Sequence, residues 1–230
     1  QGKTGAPKGA ARIVRDALAT LRRMNPGTSA RPLLRADSAF YGHATIGTAI
    51  EAGADVSVTV RMDPAVKAAI ATIPEDVWEM IEYTDSIRDE ATGQWISNAE
   101  VAEIGFTAFR SRKKADHVTG RLVVRRIPDL RPRNDQGQGQ LFDVWRFHAF
   151  FTTTDPADLD TVAADATHRQ HAIIEQVHAD LKNSALAHMP SGQFCANAAW
   201  LVCAVMAFNL TRAAATLTAD PKLIRATSGT

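Results

Sequence analysis

The sequence predicts an α/β fold with an antiparallel β-strand insertion before its last helices. Three observations predict it. Helix and strand patterns alternate from Gly9 to Ile73, the order that gives a parallel sheet with helices packed on it. From Trp78 to Thr153 the helical spacing disappears and strand-like pieces replace it. After Asp155-Pro156 the helical spacing returns. The expected boundaries are a first core part at 1–77, the β section at 78–154, a second core part at 155–217 and a tail at 218–230. At 45% hydrophobic and 22% charged over 230 residues, the chain has apolar mass enough for one large domain, or for a domain with an insertion.

Gln1 to Pro7 reads as a loop. Gly9 to Met24 is an amphipathic helix, with Ile13, Ala17, Leu18 and Leu21 on one side and Arg12, Arg15, Arg22 and Arg23 over the rest; Asn25-Pro26-Gly27 stops it. Pro32 to Ala36 is a short strand ending at Asp37-Ser38. A helix from His43 to Ala52 follows, closed by Gly53, the residue that best takes the left-handed turn after a helix. Asp55 to Arg61 alternates Val56, Val58 and Val60 with polar residues, a strand pattern. Pro64 to Ile73 is a helix whose Pro sits in the first turn, where its missing N–H does no harm. The β section offers strands at Gln94–Ser97, Glu100–Phe109, Arg121–Ile127 and Trp145–Thr152, with loops at Asp85–Gly93, Arg110–Asp116 and Pro128–Gln140, the last expected to be mobile.

Thr167 to Asn183 contains no Gly or Pro and reads as one helix capped by Asp165 or Thr167. His168, His171, Glu175, His178 and Lys182 fall on one side at three- and four-residue steps; Ile173, Ile174, Val177 and Leu181 fall on the other. A solvated face normally carries Lys, Glu and Arg, so a histidine-rich stripe with one Glu is either a plain surface or a site. Ser191 to Thr216 reads as an apolar core helix. Its Cys195 and Cys203, eight apart, suit small buried hydrophobes better than a disulfide or a metal site. The Phe194–Leu210 run holds Asn197 and Asn209 and is shorter than a membrane span of about 20 residues, so no membrane is expected. No signal peptide opens the sequence, and a reducing, cytoplasmic setting is expected. The tail after Asp220-Pro221 reads as frayed.

Two acids stand out. Asp37 ends a strand, where open α/β sheets place their sites; the alternative is a helix N-cap, for which the next helix begins late. Glu175 on the histidine stripe suits a hard divalent cation, which takes oxygen ligands and keeps its waters. Zinc is the competing ion because His168, His171 and His178 are near, but no HExxH pattern or adjacent Cys supports it.

The segments RPLLRADSAFYG, AEVAEIGFTAFR and HRQHAIIEQVHADLKN resemble the DDE-type transposases of bacterial insertion sequences, in particular the type called IS-thirteen-eighty. The resemblance runs from the Gly9 helix to the apolar helix after Gly192. It implies a ribonuclease-H-like core with a β-strand insertion between the second and third catalytic acids, Mg²⁺ (or Mn²⁺) as cofactor, cleavage and strand transfer on double-stranded DNA, and a possible homodimer. Asp37 matches the second Asp and Glu175 the final Glu, and the resemblance makes both metal ligands. His168 and His171 stand where relatives carry a Tyr and an Arg, and Lys182 stands at the signature Lys, a phosphate contact. No strand precedes the Gly9 helix to carry the family's first Asp. The expectation is therefore an N-terminally incomplete core, a truncated copy that is inactive alone, or a DNA-binding remnant.

The charge pattern agrees with a polyanionic partner. The net charge is only +1, but residues 1–36 hold eight bases and one acid, residues 72–103 nine acids and one base, and residues 110–133 nine bases and two acids. Arg110, Arg112, Lys113, Lys114, Arg121, Arg125 and Arg126 are the candidate phosphate contacts, the alternative for the first four being a solvated loop. Trp95 and Trp145 are candidates for stacking on a base, the alternative being core packing of the β section.

Overall fold

The structure is a computed structural model that describes residues 7–88, 93, 95–128, 145–170 and 173–225, without the side chains of 82–87, 95–98, 173, 224 and 225. The chain divides into two compact units, Gln1–Arg169 and Gln170–Thr230.

The first unit is built on one six-stranded mixed sheet. Its strands are β1 (Leu33–Ala36), β2 (Asp55–Thr59), β3 (Glu79–Arg88), β4 (Trp95–Ala108), β5 (Val118–Pro128) and β6 (Trp145–Thr152), in the spatial order β1-β2-β6-β5-β4-β3. β1 and β2 are parallel, with Leu34 opposite Val56 and Ala36 opposite Val58. All other pairs are antiparallel, and β6 joins the two parts by setting Phe151 opposite Val58 on one side and Leu122 on the other. The helices are α1 (Ala10–Met24), α2 (His43–Glu51), α3 (Pro64–Ile70) and α4 (Thr161–Arg169).

Period-two alternation sorts the strand residues between two faces. Val56, Val58, Leu122, Val124, Ala149 and Phe151 enter the main core with Leu18 of α1, Ile46 and Ala49 of α2 and Val66 and Ile70 of α3. Val123 and Phe150 point the other way and pack with Ala164 of α4. Gly120 of β5 is required by close packing: a Cβ there would stand 2.8 Å from the Phe151 ring and closer still to the Thr152 carbonyl. Gly53 has φ +73°, the left-handed turn expected after α2.

Several expectations are corrected. β3 is a full strand, although its Glu79-Met80-Ile81-Glu82 pattern alternates too weakly to announce it; its acids lie at the sheet edge, where charge deters further pairing. The expected loop at Asp85–Gly93 is partly this strand, and Gln94–Ser97 and Glu100–Phe109 are pieces of the single β4. The Thr167–Asn183 stretch is not one described helix. It divides between α4 and α5 (Ile173–Asn183), with residues 171 and 172 outside the described residues. Asp165 does not cap α4; it lies inside the helix and is 2% exposed, and Asp160 makes the cap through Oδ1 and the Ala163 N–H at 2.7 Å. The loop expected to be mobile, Pro128–Gln140, lies outside the described residues beyond Pro128.

The second unit holds α5, α6 (Phe194–Leu217) and α7 (Pro221–Arg225). α7 replaces the expected frayed start of the tail. Trp200 Nε1 donates to the Ala185 carbonyl at 2.8 Å, and the Asn197 side chain bridges the N–H and carbonyl of Ser191. The expectation of a buried α6 fails: Phe194 is 83% exposed, Leu210 is 70% exposed, and both Cys195 and Cys203 are exposed. α6 spans 24 residues, long and apolar enough to cross a membrane by length and composition; such a helix alone is weak grounds for a span.

Candidate nucleic-acid interface

β1 delivers Asp37 at its carboxyl end. Its hydrophobic residues Leu34 and Ala36 are packed against the core, which fixes the backbone that presents the carboxylate. Asp37 has extended backbone, is exposed, and accepts the Ala39 N–H at 2.8 Å through Oδ1. It therefore does cap a helix, a single 3-10 turn at Ser38–Phe40, rather than α2. One function does not exclude the other, because a carboxylate has lone pairs left after one such bond. Tyr41 follows and turns inward. Its ring lies edge-on to Phe151 at 6.4 Å. Burial, with a smaller contribution from the negative charge of Asp63, pushes its phenol pKa up to about 12.

The turn between β4 and β5 docks on this segment. Phe109 takes a left-handed backbone, φ +62°, a strained conformation for a bulky residue that the packing of its side chain must offset. Its ring is held between Tyr41, at 5.4 Å, and His43 of α2, at 5.5 Å and edge-on. His43 Nε2 also stands 3.9 Å from the Asp116 carboxylate. Inside the turn the Phe109 carbonyl accepts the Arg112 N–H at 2.9 Å, and Arg112 Nε donates to Asp116 Oδ2 at 3.0 Å. Arg110, Lys113 and Lys114 are exposed on it. A positive tip is thus fixed beside the segment that Asp37 opens.

In the second unit, α5 carries Glu175, His178 and Lys182 at three- and four-residue spacing, all exposed. His171 lies outside the described residues. Among the described residues, no group of three His, Cys, Asp or Glu stands together to hold a metal ion.

A family model described as the transposase DDE domain matches residues 3–210. The chain belongs to the DDE transposase family. A comparison with curated proteins returned no match. Membership makes DNA transposition and recombination the setting, DNA the partner and divalent metal ions the usual cofactor of the chemistry.

In this transposase domain the expected phosphate contacts fall into two groups. Arg110, Lys113 and Lys114 face solvent, while Arg112 is half committed to Asp116. Arg121, Arg125 and Arg126 are not offered to a surface ligand, which corrects the expectation for them. Arg121 is buried and donates to Glu103 and to the Thr154 and Leu159 carbonyls. Arg125 pairs with buried Asp165 at 3.1 Å. Arg126, 6% exposed, pairs with Glu75 and Glu100 and lies between the rings of Trp78 and Trp145, 4.2 and 4.4 Å from their centroids. Trp145 is thereby part of a stacked internal pair. The run RLVVRR hid this because sequence spacing shows which residues are basic, not which carboxylates face them across the sheet.

His168 also leaves the surface stripe. It is buried, stacks on Phe150 at 4.1 Å, and sits with Nδ1 2.8 Å from Ser57 Oγ and Nε2 3.0 Å from Thr59 Oγ1. Both ring nitrogens are engaged by hydroxyls, so it joins α4 to β2. Nearby His148 has its pKa lowered by burial and by the positive charges of Arg125 and Arg146, with Asp165 opposing. The residues that sequence reasoning missed are Phe109, His43 and Asp116. Phe109 closing a strand directly before a segment with four bases in five residues was the available signal.

Proposed function

We propose that this transposase domain takes part in Mg²⁺-dependent (or Mn²⁺-dependent) cleavage and strand transfer of an insertion-sequence element of the IS-thirteen-eighty type. In this reading β1, β2 and their helices belong to a ribonuclease-H-like core, and β3 to β6 form the insertion that precedes the helix bearing the last acid. Asp37 and Glu175 are the metal ligands. Both are exposed carboxylates, hard oxygen donors of the kind Mg²⁺ prefers. When bound, the metal supplies Lewis-acid polarisation of the scissile phosphate and a more acidic water. The chain's own residues then bind and orient: Lys182 and, by the resemblance, His171 contact phosphate, and Arg110, Lys113 and Lys114 lie along the DNA backbone.

The observation that carries this reading is the docking of a basic turn on the segment opened by Asp37, through Phe109 against Tyr41 and His43, in a chain matched by the DDE model. A zinc hydrolase built on the histidines finds no support, since His168 is engaged by Ser57 and Thr59. The resemblance assigns two of the motif's acids, Asp37 and Glu175, and in this reading the chain binds duplex DNA.

Titrating a labelled duplex with the chain at several salt concentrations, with and without Mg²⁺ or Mn²⁺, tests this. Affinity should fall steeply with salt, by about 0.9 in log–log slope per phosphate contact. Absence of binding, or binding indifferent to salt, would overturn the proposal. Stoichiometric zinc in the purified protein would do so as well.

A further inference from the structure

We propose that α1 is a second DNA-backbone contact, distinct from the β4–β5 turn; this rests on DNA being the partner of the domain. At about 100° per residue, Arg12, Arg15, Arg22 and Arg23 fall within one arc of about 100° on α1. Away from this arc lie Ala10, which is buried, and Val14, which packs against the core; buried Leu18 borders the arc one turn from Arg22. The helix is therefore held by one side and shows its arginines on the other. Arg12, Arg15 and Arg23 are exposed, and none makes an ion pair among the described residues. Arg23 donates to the Thr20 hydroxyl at 2.9 Å. Arg22 donates to the Ala52 carbonyl at the end of α2 and so anchors the row to the body of the unit.

The chemistry of this row fits phosphate. Ala19 is exposed between Arg15 and the Arg22-Arg23 pair, so no bulky side chain keeps a backbone away. Arg12 to Arg23 spans about 16 Å, the rise of about five nucleotides of one strand. Guanidinium groups bind phosphate oxygens in pairs of parallel hydrogen bonds. The single acid on the helix, Asp16, lies at the border of the arc and leaves the row strongly positive.

The test uses the whole chain with Arg12→Gln, Arg15→Gln and Arg23→Gln combined, and a companion with Lys at the same three positions. Binding to a labelled duplex is measured against salt, with circular dichroism to verify the fold of both. The Gln variant should bind more weakly, its log–log salt slope shallower by about 0.9 per lost contact, up to about 2.7; the Lys companion should keep most of the slope. Wild-type binding with a slope untouched by the Gln changes overturns this inference and leaves the proposed function standing. So does unchanged DNA binding accompanied by loss of self-association, which would assign the row to an acidic face of a second copy. Failure of the unaltered chain to bind DNA overturns both.

Discussion

The ring of Phe109 lies 5.4 Å from the ring of Tyr41, so the end of β4 is tied to a segment 68 positions earlier in the chain. Tyr41 stands four residues after Asp37, and Phe109 directly precedes Arg110. One aromatic contact therefore couples the position of a candidate metal ligand to that of a positive surface.

Phe109→Ala should cost about 2 kcal/mol, measured by urea unfolding, since the ring is half buried between Tyr41 and His43. It should also weaken DNA binding by freeing the turn, with little change in salt slope because no charge is lost. Unchanged affinity with the expected destabilisation would show that the docking serves stability alone.

Asp37→Asn and Asp37→Ala should separate the two tasks of this residue. Asn keeps an oxygen for the Ala39 N–H and should leave stability within about 0.5 kcal/mol. Ala loses the cap and should cost about 1 kcal/mol. Both should abolish Mn²⁺ binding assigned to Asp37, read by electron paramagnetic resonance. Equal Mn²⁺ binding in wild type and Asn variant would remove Asp37 from the ligand set.

Arg126→Gln should destabilise by about 2–3 kcal/mol, because it strands Glu100 and empties the stack between Trp78 and Trp145. Lys113→Ala with Lys114→Ala should do the reverse, leaving the melting temperature in place and lowering DNA affinity. If Arg126→Gln instead lowers affinity without lowering stability, the internal assignment of this arginine is wrong.

The Tyr41 phenol sets an alkaline limit. Its pKa is about 12 in the fold against 10.0 as the ordinary value, so the unfolded chain loses this proton first as pH rises. The contribution is intact below pH 10 and is lost between about pH 10 and 12. Tyr41→Phe should flatten the stability curve there. His148 acts at the acid side: its pKa is lowered from 6.5, so stability falls as pH drops below 6.5, and His148→Gln should soften that fall. Its partly open ring keeps this effect the smaller.

Local patterns settled much of this protein without tertiary information. Valine alternation, Pro64 at a helix start, Gly53 after a helix and the return of helical spacing past Asp155 each depend on neighbours within a few residues, and they fixed β1, β2, α1, α2 and α3 to within a few positions. The motif segments carried the family in the same way. Whether a charged side chain meets water or a partner depends instead on residues far along the chain. Arg126 became internal because Glu75, Glu100 and two tryptophans surround it, and His168 left the surface because Ser57 and Thr59, over a hundred residues earlier, face it. Phe109 became a clamp for the same reason. Propensity is written along the chain, but burial and pairing are set only when distant strands come into register.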